Sequence, residues 1–472
     1  MKPAQSAPGI ANVEADGLPA PQRLRAAIAV WLAIAMSVMD GAIANVALPT
    51  IATQLHAPAA VSIWVINAYQ LAITMLLLPL AALGDRLGYR RVYLPGLALF
   101  VVGSVACALS DSLIALIAAR MFQGIGAAAV MSMNAALVRS IYPSALLGRG
   151  IGYNALVLSV SAAIGPTLAS IILSVASWQW LFAINLPTGL IALAVGYRAL
   201  PRTPGSGRPL DYPSAVLSAL TLAFIVFGAE TLTREGTRTG VPMLIAGIVC
   251  GTILYRRERN VPAPLVPLDL LRIPIFALSI ATSLSSFAAQ MLAFVTLPFL
   301  FQTVLDRSVV ETGLLMTPWP LAVAFAAPIA GRLADRYSAG VLGGAGLAVL
   351  ASGLLALSTL DAASTVTDIA WRMALCGLGF GFFQSPNNRT MVSAAPRSRS
   401  GAAGGMLATA RLLGQTTGAV SVAAGFHWLG IASAPTVLLR AAAIAALLGA
   451  ATSLLRLRTT PPARRQDEPL TE

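Results

Sequence analysis

Asp40, Arg120 and Gln123 are the residues whose type and surroundings point most directly to chemistry. Each stands inside a long apolar run. A charge in such a run costs about 2.5–3.5 kcal/mol on insertion scales and persists only with a role. Withdrawal from water disfavours the ionised form of a carboxylate, so an acid at this depth is suited to exchanging a proton with an aqueous path. At about 1.5 Å per helical residue, Asp40 lies roughly 13 Å from one end of its run and Arg120 about 11 Å from the same-side end of its own. The depths agree, so the two can pair directly or through water, with Gln123 one turn on to share the network. A structural carboxylate held by a hydrogen bond or ion pair is the competing reading.

A second set of charges lies where apolar runs end. Asp85, Arg86, Gly88, Arg90 and Arg91 follow the second run, and Asp335 and Arg336 follow the tenth. Charges so placed can pair with a neighbouring helix end in one conformation and release it in another. They also set topology, which is the reading given to Arg397 and Arg399. Gly165-Pro166 marks a hinge or close helix contact in the fifth run, because proline removes a backbone hydrogen bond and glycine admits a neighbour. Arg411 is another deep cation, open to a substrate, a carbonyl or the interface. Tyr69, Phe122 and Phe383 are candidates for an aromatic lining. Trp64, Trp178, Trp180 and Trp428 are expected at interfaces, and Glu230 in solvent near a helix end.

The elements that position these residues follow from composition. Of 472 residues, 57% are hydrophobic and 10% charged. Soluble domains carry about a quarter charged residues, so lipid must be the solvent for most of this chain. The net charge of +13 does not indicate nucleic acid, because the arginines stand singly or in short groups between apolar runs and Lys2 is the only lysine. Cys107, Cys250 and Cys376 have no metal-site or disulfide spacing and read as small buried hydrophobes.

A membrane span needs about 20 apolar residues, and that length predicts about fourteen helices. Residues 24–200 form a first set of six, 201–273 a linker with two inserted helices, and 274–457 a second set of six; tails cover 1–23 and 458–472. This count places roughly 24 of the 31 basic residues on the side of the N-terminus and about 3 on the other. Leu83-Gly84-Asp85-Arg86-Leu87-Gly88 and Gly331-Arg332-Leu333-Ala334-Asp335-Arg336 then fall at equivalent helix ends. The two sets of six are therefore parallel repeats, a transporter arrangement.

The chain resembles the major facilitator superfamily, and within it the fourteen-helix drug:proton antiporters. Segments 39–49 around Asp40, 85–91 around the loop motif, 120–128 around Arg120, 178–187 and 384–388 carry the likeness. It departs at Ala81, where glycine is usual, and after Gly165-Pro166, where Ala169 and Ser170 replace a glycine pair. The resemblance implies an all-α fold of two six-helix bundles with two extra central helices. It also implies export of lipophilic, often cationic, drugs in exchange for protons across a bacterial cytoplasmic membrane, with both termini cytoplasmic. A narrow exporter of one metabolite and a proton-coupled importer are alternatives. Asn387, in the last of those segments, joins Arg411 as a candidate for the substrate lining. No nucleotide loop, acid–histidine cluster or channel filter is present, so neither an ATP-driven pump nor an enzyme is expected. The expected partners are a small lipophilic substrate, protons and lipid, with no cofactor, metal or nucleic acid, and the chain is read as a monomer.

Overall fold

The computed structural model describes residues 16–205, 211–234, 236–261, 264, 266–334, 336–395 and 400–458. Asp335, Arg397 and Arg399 lie outside the described residues. Backbone polar groups in hydrocarbon must be satisfied within the segment, and the apolar runs accordingly form helices. They are α1 Ala20–Gln54, α2 Ala59–Leu87, α3 Tyr89–Ala108, α4 Leu113–Ile141, α5 Leu147–Val175, α6 Trp180–Ala199, α7 Tyr212–Arg234 and α8 Thr237–Glu258. After the linker come α9 Pro274–Val304, α10 Val309–Leu333, α11 Ala339–Leu357 and α12 Val366–Ala394. The last helical run, Ser400–Leu455, has 56 residues, about 84 Å of helix and far more than one bilayer. Gly430 breaks it with φ 72° and ψ 168°, a conformation that suits glycine. It is thus two spans, α13 over 400–429 and α14 over 431–455. The thirteen membrane-length helices among the described residues become fourteen.

We call proximal the face where α1 begins and distal the face where it ends. The repeat is visible in how helices touch. A Cβ at Gly124 of α4 would sit 2.7 Å from the Tyr69 carbonyl oxygen of α2. Gly377 of α12 faces α10 in the same way, 2.2 Å from the Trp319 carbonyl oxygen. Only a residue without a side chain allows backbones so close.

One hydrophobic cluster joins both halves at the distal side, packing Leu48, Ile51 and Ile63 with Phe299, Phe301 and Leu315. Toward the proximal face the core divides. Val30, Tyr93 and Leu137 belong to a first-half cluster, and Phe276, Met391 and Met406 to a second-half one. Leu412 of α13 reaches across to the first. The halves are sealed together distally, and toward the proximal face their cores are separate, with α13 still touching α2 at Gly405 and Leu78.

The inserted pair α7–α8 docks on α2. Trp64 stacks on Phe227 at 5.0 Å, and its Nε1 donates to Glu230 Oε1 at 3.0 Å. Trp64 and Glu230 are both buried, which corrects the expectation of an interface anchor and a solvated acid. Trp178 is likewise buried, edge-on to Phe182, whereas Trp180 and Trp428 are exposed.

Candidate functional site: a buried charge network beside a central cavity

Five helices converge on Asp40. Arg120 and Gln123, three residues apart on α4, share one helix face. Arg120 Nη1 donates to Asp40 Oδ2 in a short ion pair and to Gln123 Oε1 at 2.6 Å. Asp40 Oδ1 accepts from Gln123 Nε2 at 2.9 Å and from Asn185 Nδ2 of α6 at 3.0 Å. Ser104 of α3 accepts from both amides, at 2.8 and 3.3 Å. Arg120 Nε donates to the Val65 carbonyl of α2 at 3.0 Å, and the guanidinium lies 4.1 Å from the Tyr69 ring centre. Asp40 is 2% exposed and Arg120 fully buried.

In such a setting the pair is held by geometry, because desolvating two charges offsets most of their attraction. Removing either partner leaves the other stranded. Asn185 and Ser104 are members that sequence reasoning missed. Both are polar residues inside spans, and that alone was a usable signal.

A cavity of about 260 Å³ lies between the halves, next to this network. Arg120, Tyr69 and Asn45 border it on the first-half side. Phe287, Phe294, Trp319 and Phe380 line it from the second half, with Gln70, Gln290, Gln384, Gln415 and Arg411 around them. Gln70 Nε2 donates to Gln415 Oε1 at 3.1 Å across the interface.

Of the expected lining, Tyr69 and Arg411 reach the cavity and three residues do not. Phe122 is 41% exposed on the outer side of α4. Phe383 is buried against Phe287 and Phe380, behind the wall. Asn387 accepts at 2.8 Å from Arg456 Nη1, which also donates to Ser279 at 3.1 Å. Arg456 is buried in this second polar cluster near the proximal end.

The distal seal runs through the Gly165-Pro166 segment. Gly165 abuts Ala42 of α1, and a Cβ at Gly313 of α10 would sit 2.2 Å from Ser170 Oγ. Thr167 and Thr317 hydroxyls bond at 2.6 Å. Helix α5 continues through Pro166, so the motif forms an inter-half contact. Gln302 Nε2 adds a bond to the Val46 carbonyl at 3.1 Å.

The loop motif ties α2 and α3 to the linker and α7. Asp85 Oδ1 accepts from Tyr89 Oη at 3.0 Å, and Arg86 Nη1 donates to Tyr212 Oη at 2.8 Å. Arg90 Nη1 donates to the Leu200 carbonyl at 3.1 Å, and Arg90 Nη2 to that of Tyr197, at the end of α6. Gly88 turns with φ 95°, and the next amide donates to Thr203 Oγ1 at 2.8 Å. Arg91 and Arg336 are exposed. The bonds seen here run mostly to hydroxyls and carbonyls, where charge pairs were expected.

Two six-helix bundles around a central cavity are a membrane-transporter architecture. The chain belongs to the Major Facilitator Superfamily, whose family model matches residues 30–419. It is therefore a multi-pass membrane transporter and not an enzyme. It is 53% identical over 94% of its length, and 98% of the relative's, to the uncharacterized transporter YebQ of Escherichia coli (strain K12). It is 30% identical to the riboflavin transporter RibZ of Clostridioides difficile (strain 630), over 82% of this chain and 84% of the relative. To the multidrug resistance protein Stp of Mycobacterium tuberculosis (strain CDC 1551 / Oshkosh) it is 32% identical, over 83% of this chain and 73% of the relative. A bacterial homologue of the human lysosomal transporter Spinster shares the fold, with TM-score 0.68 at 16% identity over 94% of this chain and 100% of that one.

Proposed function

We propose that this chain is a proton-coupled exporter of small aromatic compounds, working by alternating access in a bacterial cytoplasmic membrane. The arginine distribution supports a cytoplasmic proximal face, with both termini there. On that orientation the distal seal faces outward and the cavity faces the cytoplasm. The observation that carries the reading is Asp40, held by Arg120, Gln123 and Asn185 just behind Arg120, which borders the cavity.

Protonation of Asp40 would cancel the ion pair and leave Arg120 charged beside the cavity. The network would then lose what holds α1 to α4 and α6. Helix α1 also meets α5 at Gly165 and α9 at Gln302, so its release bears on the distal seal. A proton biases the conformational equilibrium only through its different affinity for the two states. Pairing with Arg120 in one state and not the other would supply that difference.

The aromatic wall suits planar cargo, and the likeness to the riboflavin transporter RibZ is in keeping with it. Among the described residues no carboxylate lines the cavity, so a cationic drug would find no counter-charge from them. The likeness to RibZ also supports a second reading, movement of one planar metabolite, which counterflow direction would decide.

Inverted vesicles test the coupling. With a pH gradient imposed, a transported member of a planar aromatic panel should dissipate it through the wild type and not through Asp40→Asn. Undiminished coupling in Asp40→Asn would overturn the role given to this residue.

A further inference from the structure

Arg411 projects from α13 to the central cavity, and proton coupling does not use it. Its Nε is buried and has no hydrogen-bond partner, and no ion pair or hydrogen bond engages the guanidinium among the described residues. The two fully buried arginines are held by the protein: Arg120 by Asp40, Gln123 and a carbonyl, with only its Nη2 unpartnered, and Arg456 by Asn387 and serines. A half-buried cation with no protein partner among the described residues, lining a cavity in the membrane interior, marks a site that something else can complete.

What completes it is constrained by its neighbours. Gln415, one turn along the same face of α13, and Gln384 border the same space. They supply amide donors beside the guanidinium. Phe287, Phe294, Phe380 and Trp319 form the apolar wall, with Phe294 edge-on to Trp319 at 5.0 Å. Among the described residues the lining holds two arginines and no aspartate or glutamate, and Arg120 is already paired with Asp40.

We propose that Arg411 binds an acidic group on a planar aromatic substrate, so that the cargo is an aromatic anion. The guanidinium would accept a carboxylate or phenolate through charge-assisted bonds, while the rings stack against the second-half wall. This deepens the proposed function by naming the charge of its substrate and rests on the cavity being the transport site.

The test is binding without a gradient, measured calorimetrically on the whole purified protein in detergent. Anthracenecarboxylate and its cationic match anthracenylmethylammonium are the probes. Wild type should bind the carboxylate at least about tenfold tighter than the ammonium. Arg411→Gln should weaken carboxylate binding by about tenfold to a hundredfold and change ammonium binding by no more than about twofold. Arg411→Lys should recover part of the loss, which separates charge recognition from a general fault in folding. Tighter binding of the ammonium by wild type, equal loss for both probes, or no binding of the carboxylate would each overturn the proposal. Should Asp40→Asn still couple to protons while Arg411 discriminates charge, the coupling scheme falls and this assignment stands.

Discussion

The two halves share one packing frame and fill it with opposite chemistry. Gly124 of α4 and Gly377 of α12 occupy matched places against α2 and α10. Four residues before each glycine stands Arg120 in the first half and Met373 in the second. One residue before each stands Gln123 in the first and Cys376 in the second. Around Arg120 the first half gathers Asp40, Asn185 and Ser104. The corresponding region of the second half is an apolar core in which Phe287, Phe380 and Phe383 meet edge to face. Its own cavity charge, Arg411, has no counter-charge among the described residues lining the cavity. The frame is therefore a property of the fold, and the charges are grafted onto it half by half. One half carries a compensated pair suited to a proton, the other an uncompensated cation suited to cargo. Export of an anion against proton entry would move two charges per cycle, each worth about 2.3 kcal/mol per 100 mV, so the membrane potential would drive it outward.

The sharpest way to break the comparison is to give the first half the second half's residue. Arg120→Met strands the Asp40 carboxyl without its cation, in a buried site with only amides around it. A broken buried pair of this kind costs about 3–5 kcal/mol, so thermal unfolding in detergent should show a large loss. Asp40→Asn combined with Arg120→Met removes both charges and should recover more than half of it, while proton coupling stays absent. If Arg120→Met alone is as stable as wild type, the difference between the halves is not electrostatic.

A smaller effect probes what the halves have in common. Gly124→Val and Gly377→Val each push a side chain against a neighbouring backbone carbonyl, and overpacking of this sort costs about 1–3 kcal/mol. The expected losses are alike in the two halves, read from the same unfolding assay. A loss confined to one of them would mean that the frame is not shared.

Much of this was legible in the sequence, for physical reasons. Depth along a helix is a matter of counting, so residue number alone puts Asp40 and Arg120 at one level. Rotation about the helix axis is harder to read, because α4 is apolar all round and its pattern selects no face. Even so, Phe122 is two residues from Arg120 and one from Gln123. Steps of about 100° per residue turn it away from a face that both share. Arg411 gave the opposite case: its sequence position allowed a substrate, a carbonyl or the interface, and only the surrounding side chains separate these. The docking of α7 on α2 through Trp64 and Glu230 was not legible, since those residues are 166 apart in the chain. Nor could spacing tell that Arg456 is buried with Asn387 while its neighbour Arg458 is exposed.

The inserted helices provide the mildest test, because their charges lie at the surface. Asp211, just before α7, pairs with Arg257 near the end of α8, at 3.0 Å. The side chains are 39% and 47% exposed, so the pair contributes about 0.5 kcal/mol or less. The bonds from Arg257, and secondarily those from Ser214, hold the Asp211 carboxyl below its usual range. A depressed folded value means that the contribution is fully present above the unfolded value, near 3.9, and is lost as pH falls through the folded one. Arg257→Ala should therefore lower the unfolding midpoint slightly at pH 7, and the gap from wild type should close in strong acid. A gap that persists there would assign Arg257 a packing role on α8. A gap as large as that of Arg120→Met would deny that the conducting halves, and not the inserted pair, carry the charges that matter.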